Sequence, residues 1–196
     1  CSGKNVADLQ TNFVNDVTEL VQVWLDAPDG GNGRKVQFAT ASYYETAVVP
    51  TAALNDNVSV WIAPISDNWA KAPDAEGNQM ATLFNAWKQL APGGVMLWAY
   101  NTYFSNYMTP FDSYDVLGDM LQFAVENGVY YFWAQGAWDS TASTAFESVK
   151  TYVLSKLMWD STLNVNDLID DYFAGVYGTG TVAEKMRAAF DAVRTH

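Results

Sequence analysis

Val129-Tyr130-Tyr131-Phe132-Trp133-Ala134-Gln135-Gly136-Ala137-Trp138-Asp139 is the stretch on which the reading of this chain turns. Its first six residues are apolar without alternation, the pattern of a parallel strand buried on both faces. The run then stops at an amide, a glycine, an indole and a carboxylate. Positions just past the C-terminal end of a parallel strand are where α/β proteins assemble their sites.

The same layout recurs upstream. Residues 36–41 read as a strand followed by Ser42-Tyr43-Tyr44-Glu45, and residues 58–64 as a second strand leading into Ser66-Asp67-Asn68-Trp69. Residues 95–100 form a third, followed by Asn101-Thr102-Tyr103-Phe104-Ser105-Asn106-Tyr107. Helices separate most of them. Val6, Leu9, Phe13, Val17, Leu20 and Trp24 recur at spacings of three and four, as do Met80, Leu83, Phe84, Trp87 and Leu90. A further helix runs from about Ser113 to Asn127-Gly128. Thr144-Ala145-Phe146-Glu147 has the form of a capping box opening a helix through Val149, Val153 and Leu157. Two more helices, about 166–177 and 181–194, follow without another strand. On these helix faces Trp24, Trp87 and Trp159 read as packing residues, and Asp160 as a helix end.

Connections leaving strand C-termini are long and rich in Tyr, Trp, Asn and Asp, whereas two entering strands are terse, at Gly93-Gly94 and Asn127-Gly128. Long loops on one rim and short turns on the other favour a (β/α) barrel over an open doubly wound sheet. A complete barrel takes about 250 residues, and this chain of 196 residues offers four clear strands. The expectation is one α/β domain over 1–196, the C-terminal half of a TIM-type barrel with parallel strands and two extra C-terminal helices. Alone it would leave unpaired strand edges, which normally have to be covered. That suggests an upstream half-barrel or self-association as the partner.

With 49% hydrophobic residues the chain can bury a substantial core. Its net charge of −12 argues against nucleic acid, which needs clustered Lys and Arg. No apolar run approaches the ~20 residues of a membrane span. Acidity suits a secreted or cell-surface protein. The 8 Trp, 11 Tyr and 10 Phe fit either a large core or a cleft in which flat rings stack on sugars. Cys1, the single cysteine, forms no disulfide within this chain. It reads as an edge of a longer sequence, a buried thiol, or the lipid-bearing first residue of a bacterial lipoprotein. The single histidine, His196, stands at the very end of the sequence, which argues against a His-based zinc site or a Ser-His-Asp triad. There is no glycine-rich phosphate loop. No metal and no organic cofactor is indicated.

One family combines these pieces. Phe13-Val14-Asn15, Trp98-Ala99-Tyr100 with Phe104, Pro110-Phe111, Glu126-Asn127-Gly128-Val129, Gln135-Gly136, Leu157-Met158-Trp159-Asp160 and Tyr177-Gly178 occur in order along nearly the whole chain. This series resembles the C-terminal part of the catalytic barrel of glycoside hydrolase family 163, the former domain-of-unknown-function 4838 group. The resemblance implies a secreted or surface bacterial barrel with an upstream half, acting on β-linked N-acetylglucosamine in host glycans. A cysteine-bearing segment lies just upstream in that family, so the resemblance favours reading Cys1 as a truncation edge. Two places where the family often carries a carboxylate hold Ala134 and Ala99 here.

Glycoside hydrolysis usually needs two carboxyl groups flanking the bond, although the acetamido oxygen of N-acetylglucosamine can replace the nucleophile. Asp67, Glu45 and Asp139 stand just past strand ends and are the candidate catalytic groups. Each could equally be a helix cap or a solvated loop carboxylate. Gln135 can both donate to and accept from sugar hydroxyls or an acetamide, and its alternative is a hydrogen bond within the barrel mouth. Trp138, Tyr100, Trp98, Tyr43, Asn101 and Tyr103 complete the candidate sugar-binding set, with core filling as the alternative for Trp98. Three functions remain open: a glycosidase portion, a non-catalytic carbohydrate-binding domain, and a fragment that docks a partner through its strand edges.

Overall fold

The computed structural model describes residues 5–137 and 146–194. Helix α1 (Val6–Asp26) leads to strands β1 (Phe38–Ser42) and β2 (Val58–Ile62), with a short 3-10 turn at Tyr44–Thr46 between them. Then follow α2 (Met80–Leu90), β3 (Val95–Tyr100), α3 (Tyr114–Glu126) and β4 (Tyr131–Gln135). Helices α4 (Glu147–Trp159), α5 (Val165–Tyr177) and α6 (Thr181–Arg194) complete the described elements. The strands form one parallel sheet in the order β1-β2-β3-β4. A doubly wound sheet would reverse direction partway, whereas here each strand lies beside its neighbour in sequence. The alternation and the order are those of half a TIM-type barrel.

Two compact units share these elements. The first comprises the described residues of Cys1–Asp67, Asp74–Trp98 and Gly128–Trp133. Its sheet has two unlike faces because side chains alternate along a strand. Val58, Val60, Ile62 and Leu97 are fully buried, and the buried Met80, Leu83, Phe84 and Trp87 of α2 supply the matching core. Register is set by Val60 opposite Val95 and Ile62 opposite Leu97. The terse turn before β3 has a steric reason. A Cβ on Gly93 would lie 2.3 Å from the Val58 carbonyl oxygen, and Gly94 takes φ 105°, where side chains are strained. On the opposite face Trp61 meets Tyr131 edge-on at 5.3 Å, and Trp98 stacks on Trp133 at 5.1 Å.

The second unit comprises the described residues of Asn68–Pro73, Ala99–Asn127 and Ala134–His196. It is a helical cluster around Phe190, whose fully buried ring takes edge contacts from Tyr114 and Phe146, each at 5.0 Å. Leu117 of α3, Val153 and Leu157 of α4 and Ile169 of α5 fill the rest of this core. Arg194 crosses from α6 to Asp112 at 3.2 Å and to Asp115 at 2.5 Å.

Three expectations are corrected. The apolar stripe of α1 is real, but it faces outward: Phe13 is 67% and Leu20 73% exposed. The face that packs carries Ala7, Thr11, Thr18 and Leu25, because helical periodicity defines a stripe and not its partner. Strand β4 is not buried on both faces, since Tyr131 and Trp133 stand about half exposed on the aromatic side. Helix α4 starts at Glu147 with Phe146 as a left-handed N-cap, and Thr144 of the expected capping box lies outside the described residues. Of the three tryptophans read as packing, only Trp87 is buried, while Trp24 and Trp159 are exposed.

Leu97→Ala should lower unfolding free energy by about 3 kcal/mol, the cost of a cavity in a closed core. Leu20→Ala should change it by less than ~0.5 kcal/mol. Urea titrations of the two variants check the assignment of faces, and comparable losses would contradict it.

Candidate functional site

In the second unit, the ends of β3 and β4 are tied together one residue past the ladder of β3. The Asn101 N–H donates to the Gln135 carbonyl at 2.9 Å. This sets two residues read as sugar ligands side by side, with the half-buried Gln135 at the last position of its strand. The glycine after it leaves room for a carboxylate tip. A Cβ on Gly136 would come within 2.6 Å of the Glu147 Oε1, and that oxygen accepts from the Ala137 N–H at 3.2 Å. Through this bond Glu147 orients the strand end.

Asn101 is 6% exposed and its Nδ2 has no partner within the described residues, nor have the buried hydroxyls of Thr102 and Ser113. Native interiors leave few such groups unpaired, so polar atoms of this kind mark places for water or ligand oxygens. Tyr100 belongs to a run of edge-on rings. Trp69 lies 5.6 Å from Tyr100, Tyr100 lies 5.9 Å from Phe104, and Phe104 lies 6.4 Å from Tyr107. Trp69 Nε1 and Tyr107 OH are also buried without partners. Tyr103, in the same loop, is exposed.

Lys150 is the residue that the sequence reading missed. It comes from the buried side of α4, is 6% exposed, and donates to the Asn101 carbonyl at 3.4 Å and to the Phe111 carbonyl. Its ammonium lies 4.7 Å from the Phe111 ring centre and 4.9 Å from that of Tyr114. Burial pushes the amine down to about 7, a shift that the Arg194 charge supports and the Asp112 and Glu147 carboxylates oppose. The sequence held a signal: Lys150 sits at helical spacing with Val153, Leu154 and Leu157, in a stripe that is otherwise apolar.

The remaining candidates lie in the first unit. Asp67 is buried, and its two oxygens accept from Gln79 N–H at 2.9 Å and Met80 N–H at 2.8 Å, the first amides of α2. Its carboxyl pKa is raised by burial, against the pull of those two hydrogen bonds. These two bonds make the carboxylate a cap for the start of α2. Glu45 lies exposed in the 3-10 turn, and the exposed Tyr43 packs edge-on to Tyr44 at 4.7 Å. Trp98 is half-buried on the aromatic sheet face. Trp138, Asp139 and Cys1 lie outside the described residues.

Among the described residues no group of three or more His, Cys, Asp or Glu side chains is placed to hold a metal ion. No helix there is long and apolar enough to cross a membrane. Comparison with known families matches residues 2–188 to the model described as "Domain of unknown function (DUF4838)". No curated protein and no solved structure matches the chain.

Asp67→Ala should cost about 1–2 kcal/mol of stability through the lost cap, measured by chemical denaturation. Lys150 should give the protein a signature in pH. An unfolded lysine titrates near 10.4, so from about 7 upward the unfolded chain holds a proton that the folded chain has released. Stability attributable to this residue therefore rises with pH across that window, by at most ~1.4 kcal/mol per pH unit. Lys150→Met should lack the rise when its unfolding curves are compared with wild type from pH 6.5 to 9.5. Parallel curves would refute the assignment.

Proposed function

Since the chain belongs to the DUF4838 family, we propose that it forms the sugar-binding portion of a barrel glycoside hydrolase acting on β-linked N-acetylglucosamine-containing glycans. The observation that carries this reading is the pairing of Asn101 with Gln135 at the strand ends. A glutamine side chain offers a carbonyl acceptor and an NH2 donor, the complement of an acetamide or a sugar hydroxyl. The unpartnered Asn101 amide nitrogen adds a donor beside it. Tyr103 in the adjoining loop supplies an exposed ring of the kind that stacks on a pyranose face. The resemblance to glycoside hydrolase family 163 gives the substrate class, and with it an extracytoplasmic location.

The second reading is a carbohydrate-binding domain without catalysis, favoured by Asp67. A carboxylate whose two oxygens already accept helix amides is poorly placed to move a proton. Ala99, fully buried, also leaves no carboxyl where the related family often has one.

Mass spectrometry of a complex N-glycan bearing terminal N-acetylglucosamine, incubated with this chain, separates the two. Release of free hexosamine establishes the hydrolase. Binding without release establishes the binding domain, and absence of both removes the glycan reading. Gln135→Ala should weaken binding of N,N′-diacetylchitobiose about 10- to 100-fold, the effect of stranding buried polar partners. Isothermal titration measures this, with circular dichroism confirming an unchanged fold. Equal affinity in the two proteins would remove Gln135 from the site.

A further inference from the structure

In the first unit, ahead of β1 and β2, lies a cleft of about 530 Å³, within the ~300–1,000 Å³ of small-molecule sites. Its walls are the second half of α1, residues 35–37 before β1 and the turn 55–57 before β2. Three of its amides are spent in one direction. Asn55 Nδ2 donates to the Asn15 carbonyl and to Thr18 Oγ1, each at 3.3 Å. Gln37 Nε2 donates to Ser59 Oγ at 2.8 Å. Asn57 Nδ2 donates to Gln22 Oε1 at 3.4 Å, and Gln22 is itself fixed by donating to Asp26 Oδ1 at 2.9 Å. Each NH2 is thus committed within the protein, while the side-chain oxygens of Asn55, Asn57 and Gln37 accept from no donor among the described residues. Asp56 has no hydrogen bond or ion pair there either, and Glu19 accepts one long bond, from Asn55 Nδ2 at 3.4 Å. Lys35 is the one cation on the walls.

We propose that this cleft binds an organic polyamine, a flexible chain whose ammonium groups donate to the oxygens of Asn55, Asn57 and Gln37 and whose charge is met by Asp56 and Glu19. What is unspent on the walls is almost wholly acceptor, so the complementary ligand is one rich in donors. An alkylammonium carries three donors and no acceptor, whereas every hydroxyl of a polyol brings lone pairs that only Lys35 could serve. The bonds formed are charge-assisted, the stronger kind. The net charge of −12 raises the local concentration of cations at such a surface. A bare divalent ion is a poorer match. It needs six or more oxygens converging on one point, and among the described residues no three carboxylates gather to hold a metal. The amide chain Asp26–Gln22–Asn57 and the bonds of Asn55 to α1 fix the acceptors before any ligand arrives, which lowers the cost of binding. None of the residues read as glycan ligands lines this cleft, and the proposal does not rest on that reading.

Spermidine titrated into the ¹⁵N-labelled protein at low ionic strength, followed by NMR, reads the site directly. The side-chain NH2 resonances of Asn55, Asn57 and Gln37 should shift together and saturate with one affinity. Asp56→Asn should weaken binding about 10-fold, the loss of one charged partner. Lys35→Met, which removes the repelling charge, should tighten it several-fold. Glu76→Gln removes the same charge as Asp56→Asn from a residue that does not line the cleft, and should leave the affinity unchanged. Absence of saturable shifts at the three amides, or equal weakening by Asp56→Asn and Glu76→Gln, would overturn the proposal in favour of diffuse attraction to an acidic surface. Calcium chloride or N,N′-diacetylchitobiose, run as parallel titrations, would overturn it by moving these resonances where spermidine does not. The wild-type titrations decide the matter even where a variant does not fold.

Discussion

Unequal burial of the two sheet faces is the constraint on which the first unit rests. Residues alternate across a strand, so a helix layer on one side consumes every second side chain. In β2 those are Val58, Val60 and Ile62, all fully buried, and in β3 Leu97 joins them. The intervening positions are left for the other face, where Ser59 and Met96 are buried and Trp61, Trp98, Tyr131 and Trp133 stand partly exposed. Large rings suit this role because they cover one another. Edge-on and offset contacts between them add about 0.5–1.5 kcal/mol per pair beyond simple burial. An apolar run without alternation is therefore compatible with a strand only half covered, provided that its outward members are aromatic.

In the second unit a different economy operates. The strand ends leave the ladder, and their polar groups must find partners or stay unpaired in a dry environment. Backbone groups are satisfied first: Asn101 N–H by Gln135, Ala137 N–H by Glu147, and the carbonyls of Asn101 and Phe111 by Lys150. Side-chain groups come last. The Asn101 amide and the Thr102 and Ser113 hydroxyls remain without partners. The groups that hold the rim together and the groups open to a ligand are thus different parts of the same residues.

Much of this was legible in the sequence, and for a definable reason. Strands β2 and β3 begin where their apolar runs begin, and α2 spans the residues that recur at helical spacing. Those signals come from burial against the nearest elements in the chain, which local pattern encodes. What failed was anything that depended on identifying the partner. The stripe of Phe13, Val17, Leu20 and Trp24 marked the helix but not its inner face, which carries Ala7, Thr11, Thr18 and Leu25. Lys150 escaped because its partners, Asn101 and Phe111, are 49 and 39 residues away. Asp67 was legible as a carboxylate past a strand end, and only the fold shows that it caps α2.

That distinction bears on how sites of this kind come to bind or to cut. A carboxyl that acts as general acid must exchange a proton during the reaction. Asp67 is committed to two amides of α2, which gives it a structural task however burial raises its pKa. Glu147 gives one oxygen to the Ala137 N–H and occupies the space beside Gly136. Of these two carboxylates, one starts a helix and the other sets a strand end, while the buried groups left without a partner among the described residues of the second unit are an amide, hydroxyls and the Trp69 indole N–H. Amides and hydroxyls recognise; they do not by themselves donate a proton to a leaving group. From these residues the inference runs first to recognition of a hydroxylated, amide-bearing ligand, and to bond cleavage only through a carboxyl whose oxygens are free to exchange a proton.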